Sequence, residues 1–332
     1  MNQGSYGVGI IGLGKYVPER RVTSEAVEEE AGIIKGDIFA KTGIAERRIA
    51  GELDSASGFS IEAGRMALER SGGQPDDIGL VLCCTFTGDY VYPALACKIH
   101  QALKTTNAGA FDLMANCTGF QVGLSTACEK MLLNPEIRYS LVVGTALQSR
   151  YINWKDASSA MYFGDGAAAA VLGQVPKGYG LQSTEILTNS NAYDAVRMRG
   201  GGSSFPMTHE NVEKGLQYYE LNGLEVWKQV IQHQPKVIRA ALDRIGKKVE
   251  DVDFFIFHQA GLRLIEYLMG RMKVPMSKTF TNLEHYGNTA EASMGLALCE
   301  AVEEGRLKRG DLVVMSGVGA GFTFGASTFV WY

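Results

Sequence analysis

The stretch FDLMANCTGFQVGLSTACEKML, residues 111–132, holds a cysteine between an apolar run and a helical pattern. A cysteine attacks carbon as a thiolate, and an unperturbed thiol is only a few per cent ionised at pH 7. Cys117 falls where the helix following it begins, and the partial positive charge of a helix N-terminus favours the thiolate. A pKa lowered to about 7 would leave roughly half the thiol ionised. Gly119 lets the backbone stay close to whatever the sulfur carries. Two further side chains could act beside it. His258 closes the apolar run DFFIF, so its imidazole stands at the mouth of a buried strand. Asn288 opens a predicted helix in HYGNTAEAS and offers a carboxamide, although Asn288 and Glu291, three apart, also fit a capping box.

These residues are far apart in the chain, and an internal repeat is what joins them. VEDVDFFIFHQAG reads like PDDIGLVLCCTFT at an offset of 174 residues, which lays His258 over Cys84. LALCEA over LSTACE and DLVVMSG over SLVVGTA both match at an offset of 171, which lays Asn288 over Cys117. Two copies of one fold related by a pseudo-twofold axis bring equivalent strand ends together. Cys117, His258 and Asn288 are therefore expected to share one neighbourhood.

The elements around them alternate. SASGFSIEAGRMALERSG has helical spacing and ends on glycine, DIGLVLCCTFT is a continuous apolar run of strand length, and YPALACKIHQAL is helical again. AGAFDLMA, YSLVVGTAL and AAAAVLGQV read as strands. This alternation predicts an α/β layered fold, with Cys83, Cys84 and Cys97 inside core elements.

With 332 residues, 46% hydrophobic and 20% charged, the chain can bury a large core. A net charge of −4 without long single-sign runs gives no footprint for nucleic acid or an anionic membrane. The six cysteines form no CxxC pair, so neither a metal site nor a disulfide framework is expected, and reduced thiols fit a cytoplasmic protein. No apolar run approaches a membrane span, and the opening MNQGSYGVGIIGLGKYVP lacks a basic start and a cleavage site. That opening contains GxGxxG at Gly7, Gly9 and Gly12, but no strand precedes it and Pro18 follows instead of a helix. A dinucleotide fingerprint needs both, so a strand with a turn is the better reading.

The chain resembles β-ketoacyl-acyl carrier protein synthase III, within the thiolase-like superfamily, along nearly its whole length. The resemblance is carried by KTGIAERRIA, NCTGF, FGDGAAAAVL, FHQAGLR, GNTAEAS and GAGFTFGAS, in that order. It implies a duplicated thiolase-like fold, five-layered α-β-α-β-α with pseudo-twofold symmetry, its halves spanning residues 1–175 and 176–332. It implies that Cys117 takes an acyl group from a thioester, while donors on His258 and Asn288 hold the enolate left when a malonyl thioester loses carbon dioxide. Backbone N–H groups of Cys117 and Ala320 would meet the other oxyanion. Lys228, Arg263 and Arg271 would border the mouth where an acidic acyl carrier protein docks. In the homodimer it implies, TGDYVYPALA would cross to the partner, with Tyr92 closing its acyl tunnel. No metal or cofactor is expected, the substrates being thioesters of coenzyme A or of the carrier.

Three departures from the family pattern bear on the substrate. Typical members stack adenine between a Trp and an Arg, where this chain has Asp37 and Ala157. Losing such a stack removes roughly 1 to 3 kcal/mol, so a carrier-bound or unusual acyl donor is expected. HQAG replaces the usual HQAN and puts Gly261 in the tunnel, enlarging it; GNTAEA puts Glu291 among small residues, where capping is the simpler role. Two other functions are compatible with the same residues: acyl transfer to a hydroxyl or amine with His258 as base, and a catalytically silent partner subunit.

Overall fold

The computed structural model describes residues 6–332; residues 1–5, where no strand is expected before the GxGxxG, lie outside it. Two sheets organise the chain. The first contains β1 (Tyr6–Tyr16), β2 (Ile78–Cys84), β3 (Gly109–Leu113), β4 (Tyr139–Ala146) and β5 (Gly166–Pro176), in the order β1-β5-β4-β2-β3. β2 runs parallel to β3 and β4, and β5 antiparallel to β4 and β1. The second contains β6 (Gly180–Thr188), β7 (Phe254–Phe257), β8 (Leu312–Gly319) and β9 (Thr323–Val330), in the order β7-β8-β9-β6. β7 is parallel to β8, and β9 antiparallel to β8 and β6. A lone parallel bridge from Phe255 to Thr279 stands where the first sheet has β3. Order and direction thus repeat, and the fold is a duplicated one.

Six helices complete five layers. α1 (Ala56–Ser71) and α2 (Leu95–Leu103) cover the outer face of the first sheet. α4 (Gly223–Asp243) and α5 (Leu262–Met272) cover that of the second. α3 (Gly119–Leu133) and α6 (Ser293–Glu303) lie between the sheets, where Phe120, Leu124, Met294 and Leu298 share one core with residues of β2, β4, β7 and β8. Each such side chain contributes roughly 1.5–3 kcal/mol on full burial. Because both faces of each sheet are covered, the central strands read as continuous apolar runs.

Local sequence explains the element ends. α1 starts where Ser55 Oγ accepts the Gly58 N–H at 3.0 Å and stops at Gly72, whose φ is 69°. α2 begins on the Asp112 carboxylate, which accepts from the N–H groups of Leu95 and Ala96 at 2.7 and 2.8 Å. Asp165, in the FGDGA segment, accepts from Ala50, Gln148 and Ser149 N–H groups at 2.7–2.9 Å and pins three loops beside the first sheet.

Two expectations are corrected. The glycines of the opening GxGxxG lie within β1, which continues through them with a bulge between Ile10 and Gly12, rather than in a turn. Smallness serves packing here: a Cβ on Gly12 of the motif would stand 2.3 Å from the Ala67 carbonyl oxygen, and one on Gly14, two residues beyond it, 2.0 Å from that of Ala63, both on α1. Cys97 is exposed, because its position on α2 faces outward, whereas Cys83 and Cys84 are buried as expected.

Candidate active site

Cys117 lies in a short 3-10 turn, Asn116–Thr118, between β3 and the start of α3. It retains some accessible surface, unlike Cys83, Cys84, Cys128 and Cys299, which are fully buried. The matching turn in the second half is Ala290–Ala292, which leads into α6. Asn116 has φ 47° and Ala290 φ 42°, a left-handed conformation that Asn tolerates and Ala rarely adopts. Aligning turns, helix starts and this backbone feature gives an offset of 174 throughout the region. Glu291, and not Asn288, is therefore the pseudo-symmetric counterpart of Cys117. The offset of 171 matched the far end of the helix, where α6 is the shorter of the two.

The two turns pack directly on each other, and the Cys117 turn also packs on β8. The contact depends on glycine: a Cβ on Gly317 would lie 3.2 Å from Thr118 Oγ1 and 3.3 Å from His258 Cβ, so Thr118 and His258 flank the same point of β8. Gly319 closes on the turn from the other side, its Cβ position 2.4 Å from the Ala115 carbonyl oxygen. Asn116 Nδ2 donates to the Ala320 carbonyl at 3.0 Å and ties the glycine-rich loop to the same turn.

His258 is held by its N–H, which donates to the Ser316 carbonyl at 3.0 Å, and by Ser293 Oγ, 2.7 Å from Nδ1. Ser293 Oγ also accepts the Gln259 N–H at 3.2 Å. Burial lowers the imidazole pKa from 6.5 to about 3, so the ring is neutral at pH 7. Asn288 is fixed through its backbone: its N–H donates to Tyr162 O at 2.8 Å, and its carbonyl accepts from Gly164 N–H and Gln148 Nε2, each at 3.0 Å. Its Oδ1 accepts the Ala290 N–H at 2.9 Å. That bond spans two residues and stands in place of the capping box, since neither Glu291 oxygen makes a well-formed hydrogen bond among the described residues.

The thiol itself corrects an expectation. Burial first, and the Glu291 carboxyl second, push Cys117 well above the ordinary thiol range, outweighing its own N–H. The loss of water around the sulfur thus favours the neutral thiol over the thiolate at rest.

A cavity reaches this region from the surface. Asn288 and Tyr162 are among its lining residues, together with Gly261, Lys41, Trp227 and Arg263. A Cβ on Gly261 would meet only the Thr42 carbonyl oxygen, 3.9 Å away, so the glycine leaves open space there. Arg263 pairs with Glu266 at 2.9 Å, Lys228 lies 3.8 Å from Glu225, and Arg271 donates to Tyr267 Oη at 3.2 Å; all three are exposed. Of the two positions of the missing adenine stack, Asp37 pairs with Lys41 at 2.6 Å and Ala157 starts a short helix. Trp227, which the sequence reading passed over, packs on Tyr267 at a centroid distance of 5.4 Å beside this mouth. Tyr90, Val91 and Tyr92 are 76%, 92% and 83% exposed. Ser293 and Tyr219, whose ring packs 6.1 Å from that of Phe86, were also passed over. Ser293 is visible only as the last residue of GNTAEAS, and nothing local marks Tyr219.

Comparison with known proteins agrees with this architecture. Residues 111–190 match the family model described as 3-oxoacyl-[acyl-carrier-protein (ACP)] synthase III, and residues 242–331 match its C-terminal model. The chain is 37% identical over 323 residues to a β-ketoacyl-[acyl-carrier-protein] synthase III of Caldanaerobacter subterraneus, with 97% of each chain covered. It is 38% identical over 324 residues to that of Syntrophomonas wolfei, covering 98% of this chain and 97% of the other. Among solved structures, 3-oxoacyl-[acyl-carrier-protein] synthase III from Aquifex aeolicus superposes with a TM-score of 0.90 at 31% identity, covering 98% of this chain and 100% of that one. The priming β-ketosynthase of the R1128 polyketide pathway also gives 0.90 at 31% identity, covering 98% and 96%.

Proposed function

The chain belongs to the β-ketoacyl-[acyl-carrier-protein] synthase III family, and from that premise we propose that it is a condensing acyltransferase working through an acyl group on Cys117. The observation that carries the reading is the packing of the Cys117 turn against the turn after Asn288 and against the point of β8 flanked by His258.

In the first half-reaction the Cys117 sulfur attacks a thioester carbonyl. A new carbon–sulfur bond forms, the bond to the carrier sulfur breaks, and the thiol proton leaves on the departing carrier thiol. The N–H groups of Cys117 and Ala320 meet the oxyanion. In the second half-reaction a malonyl thioester enters, its carboxylate leaves as carbon dioxide, and the electron pair moves onto the thioester oxygen. That oxygen is held by two neutral donors. Ser293 Oγ accepts from Gln259 N–H and has its own proton free to give to His258 Nδ1, the arrangement in which the ring proton sits on Nε2 and faces substrate. Asn288 Oδ1 is occupied by Ala290, which leaves the amide N–H groups to donate. Each such donor is worth ~3 kcal/mol in the transition state. The enolate carbon then attacks the acyl-enzyme, releasing a β-ketoacyl thioester and a Cys117 thiolate that takes up a proton.

A pKa of about 3 makes His258 a poor proton acceptor but a good neutral donor, which favours condensation over base-assisted transfer to a hydroxyl or amine. Lys228, Arg263 and Arg271 suit an acidic carrier protein at the mouth. The exposed Tyr90–Tyr92 segment suits a twofold partner whose tunnel Tyr92 would close. The test is release of labelled carbon dioxide from carboxyl-labelled malonyl thioester in step with β-ketoacyl product. Acyl transfer without that release would refute condensation.

A further inference from the structure

Glu291 has no use in the reaction above, yet it is the best-placed unused group in the molecule. It is the pseudo-symmetric mate of Cys117 and 1% exposed, and neither carboxyl oxygen makes a well-formed hydrogen bond among the described residues. Its Cγ lies 3.3 Å from the Cβ position of Gly119, two residues after the nucleophile. Burial keeps the carboxyl protonated far above the usual range, with only its own N–H and that of Phe86 facing it. Tyr219 is 8% exposed and its Oη is also unpartnered. The Tyr219 ring lies 6.1 Å from that of Phe86, whose N–H faces the Glu291 carboxyl, and Glu291 and Cys117 are the first charges it senses, so hydroxyl, carboxyl and thiol belong to one neighbourhood.

Buried polar groups are rarely left unpaired, because each carries the full cost of its lost water. A neutral carboxyl and a phenol have both donors and acceptors to offer, and beyond the two N–H groups that face Glu291 no described residue answers them. A plain hydrocarbon acyl group on Cys117 would leave both unanswered, and a carboxylate would bury a charge with no cation among the groups that face Glu291. A neutral oxygen function answers both. We infer that the acyl group loaded on Cys117 carries a hydroxyl or oxo group within the first few carbons of its thioester carbonyl, hydrogen-bonded to Glu291 and Tyr219. The inference rests on Cys117 being the acylated residue.

The experiment compares initial rates of Cys117 acylation by butyryl-coenzyme A and 3-hydroxybutyryl-coenzyme A, read by intact mass, in wild type and in the Glu291→Ala, Glu291→Gln and Tyr219→Phe variants. Wild type is expected to favour the hydroxyacyl donor by about tenfold or more. Glu291→Ala should abolish that preference and Glu291→Gln, which keeps a donor and an acceptor, should retain most of it. Equal or faster loading of butyryl by wild type overturns the inference, as does a preference that survives Glu291→Ala. Ordered water answering both groups would give the first of these results. No adduct from either donor would instead refute the acyl-enzyme on which the inference stands. Thermal unfolding of each variant separates misfolding from altered selectivity.

Discussion

Ser293 Oγ lies 2.7 Å from His258 Nδ1, joining the first residue of α6 to the end of β7. The contact decides which ring nitrogen is free to face substrate, and Ser293 is a positioning residue. Replacing Ser293 with Ala removes both this bond and the one from Gln259 N–H. Decarboxylation kcat is expected to fall about 10- to 100-fold with little change in KM, the size typical of losing a group that orients a working histidine. Ser293→Thr should restore part of it. Equal losses in kcat and in Cys117 acylation would point to general disruption instead.

Asn288→Ala should lower decarboxylation by about 100-fold, from loss of one donor worth ~3 kcal/mol. Acylation of Cys117 by a simple thioester should stay within a few-fold of wild type, because the amide serves only the second half-reaction. Stopped-flow measurement of the two steps separates these effects.

The two buried titratable groups give opposite pH signatures. The folded pKa of His258 is depressed from 6.5 to about 3, so below pH 6.5 the unfolded chain takes up a proton that the folded one refuses. Its contribution to stability is constant above pH 6.5 and lost at about 1.4 kcal/mol per pH unit as pH falls towards 3. Glu291 runs the other way: its folded pKa is raised, so above pH 4.5 the unfolded chain releases a proton that the folded one keeps. Its contribution is lost as pH rises from 4.5. Glu291→Gln should therefore gain on wild type in urea unfolding between pH 6 and 8, and His258→Gln between pH 6.5 and 5. A wild-type minus Glu291→Gln difference that is flat with pH would contradict a protonated carboxyl.

Gly14→Ala tests the packing of β1 on α1. Its Cβ would stand 2.0 Å from the Ala63 carbonyl oxygen and 2.6 Å from the Ala67 nitrogen, both backbone atoms. A destabilisation of about 1–3 kcal/mol is expected, the usual cost of overpacking. Denaturant unfolding measures it, and an unchanged midpoint would contradict the register.

Much of this was legible in sequence. The period of the apolar pattern marked α1, α2, β2 and β4, since strands covered on both faces must be apolar throughout. Cys117, His258 and Asn288 could be singled out from the parallel runs of the two halves and from the family motifs, and the structure packs their segments together, although the offset that laid Asn288 over Cys117 was not the true one. What failed has physical causes. Helix α6 is shorter than α3, so the repeat aligned at its far end and paired Cys117 with Asn288 in place of Glu291. Capping needs a free backbone N–H at the right angle, and the left-handed Ala290 removed that geometry. The thiol pKa depends on how much water the fold removes, which no local pattern encodes. Tyr219, which packs on Phe86, sits on a strand about a hundred residues from Cys117, with no signal of its own.

The most direct test of the account is the mass of the intact protein after exposure to acyl thioesters, followed by peptide mapping. A single acyl increment on Cys117, absent in Cys117→Ala and discharged by malonyl thioester with release of carbon dioxide, is the predicted result. An unmodified Cys117, or an adduct carried by the exposed Cys97 instead, would contradict it.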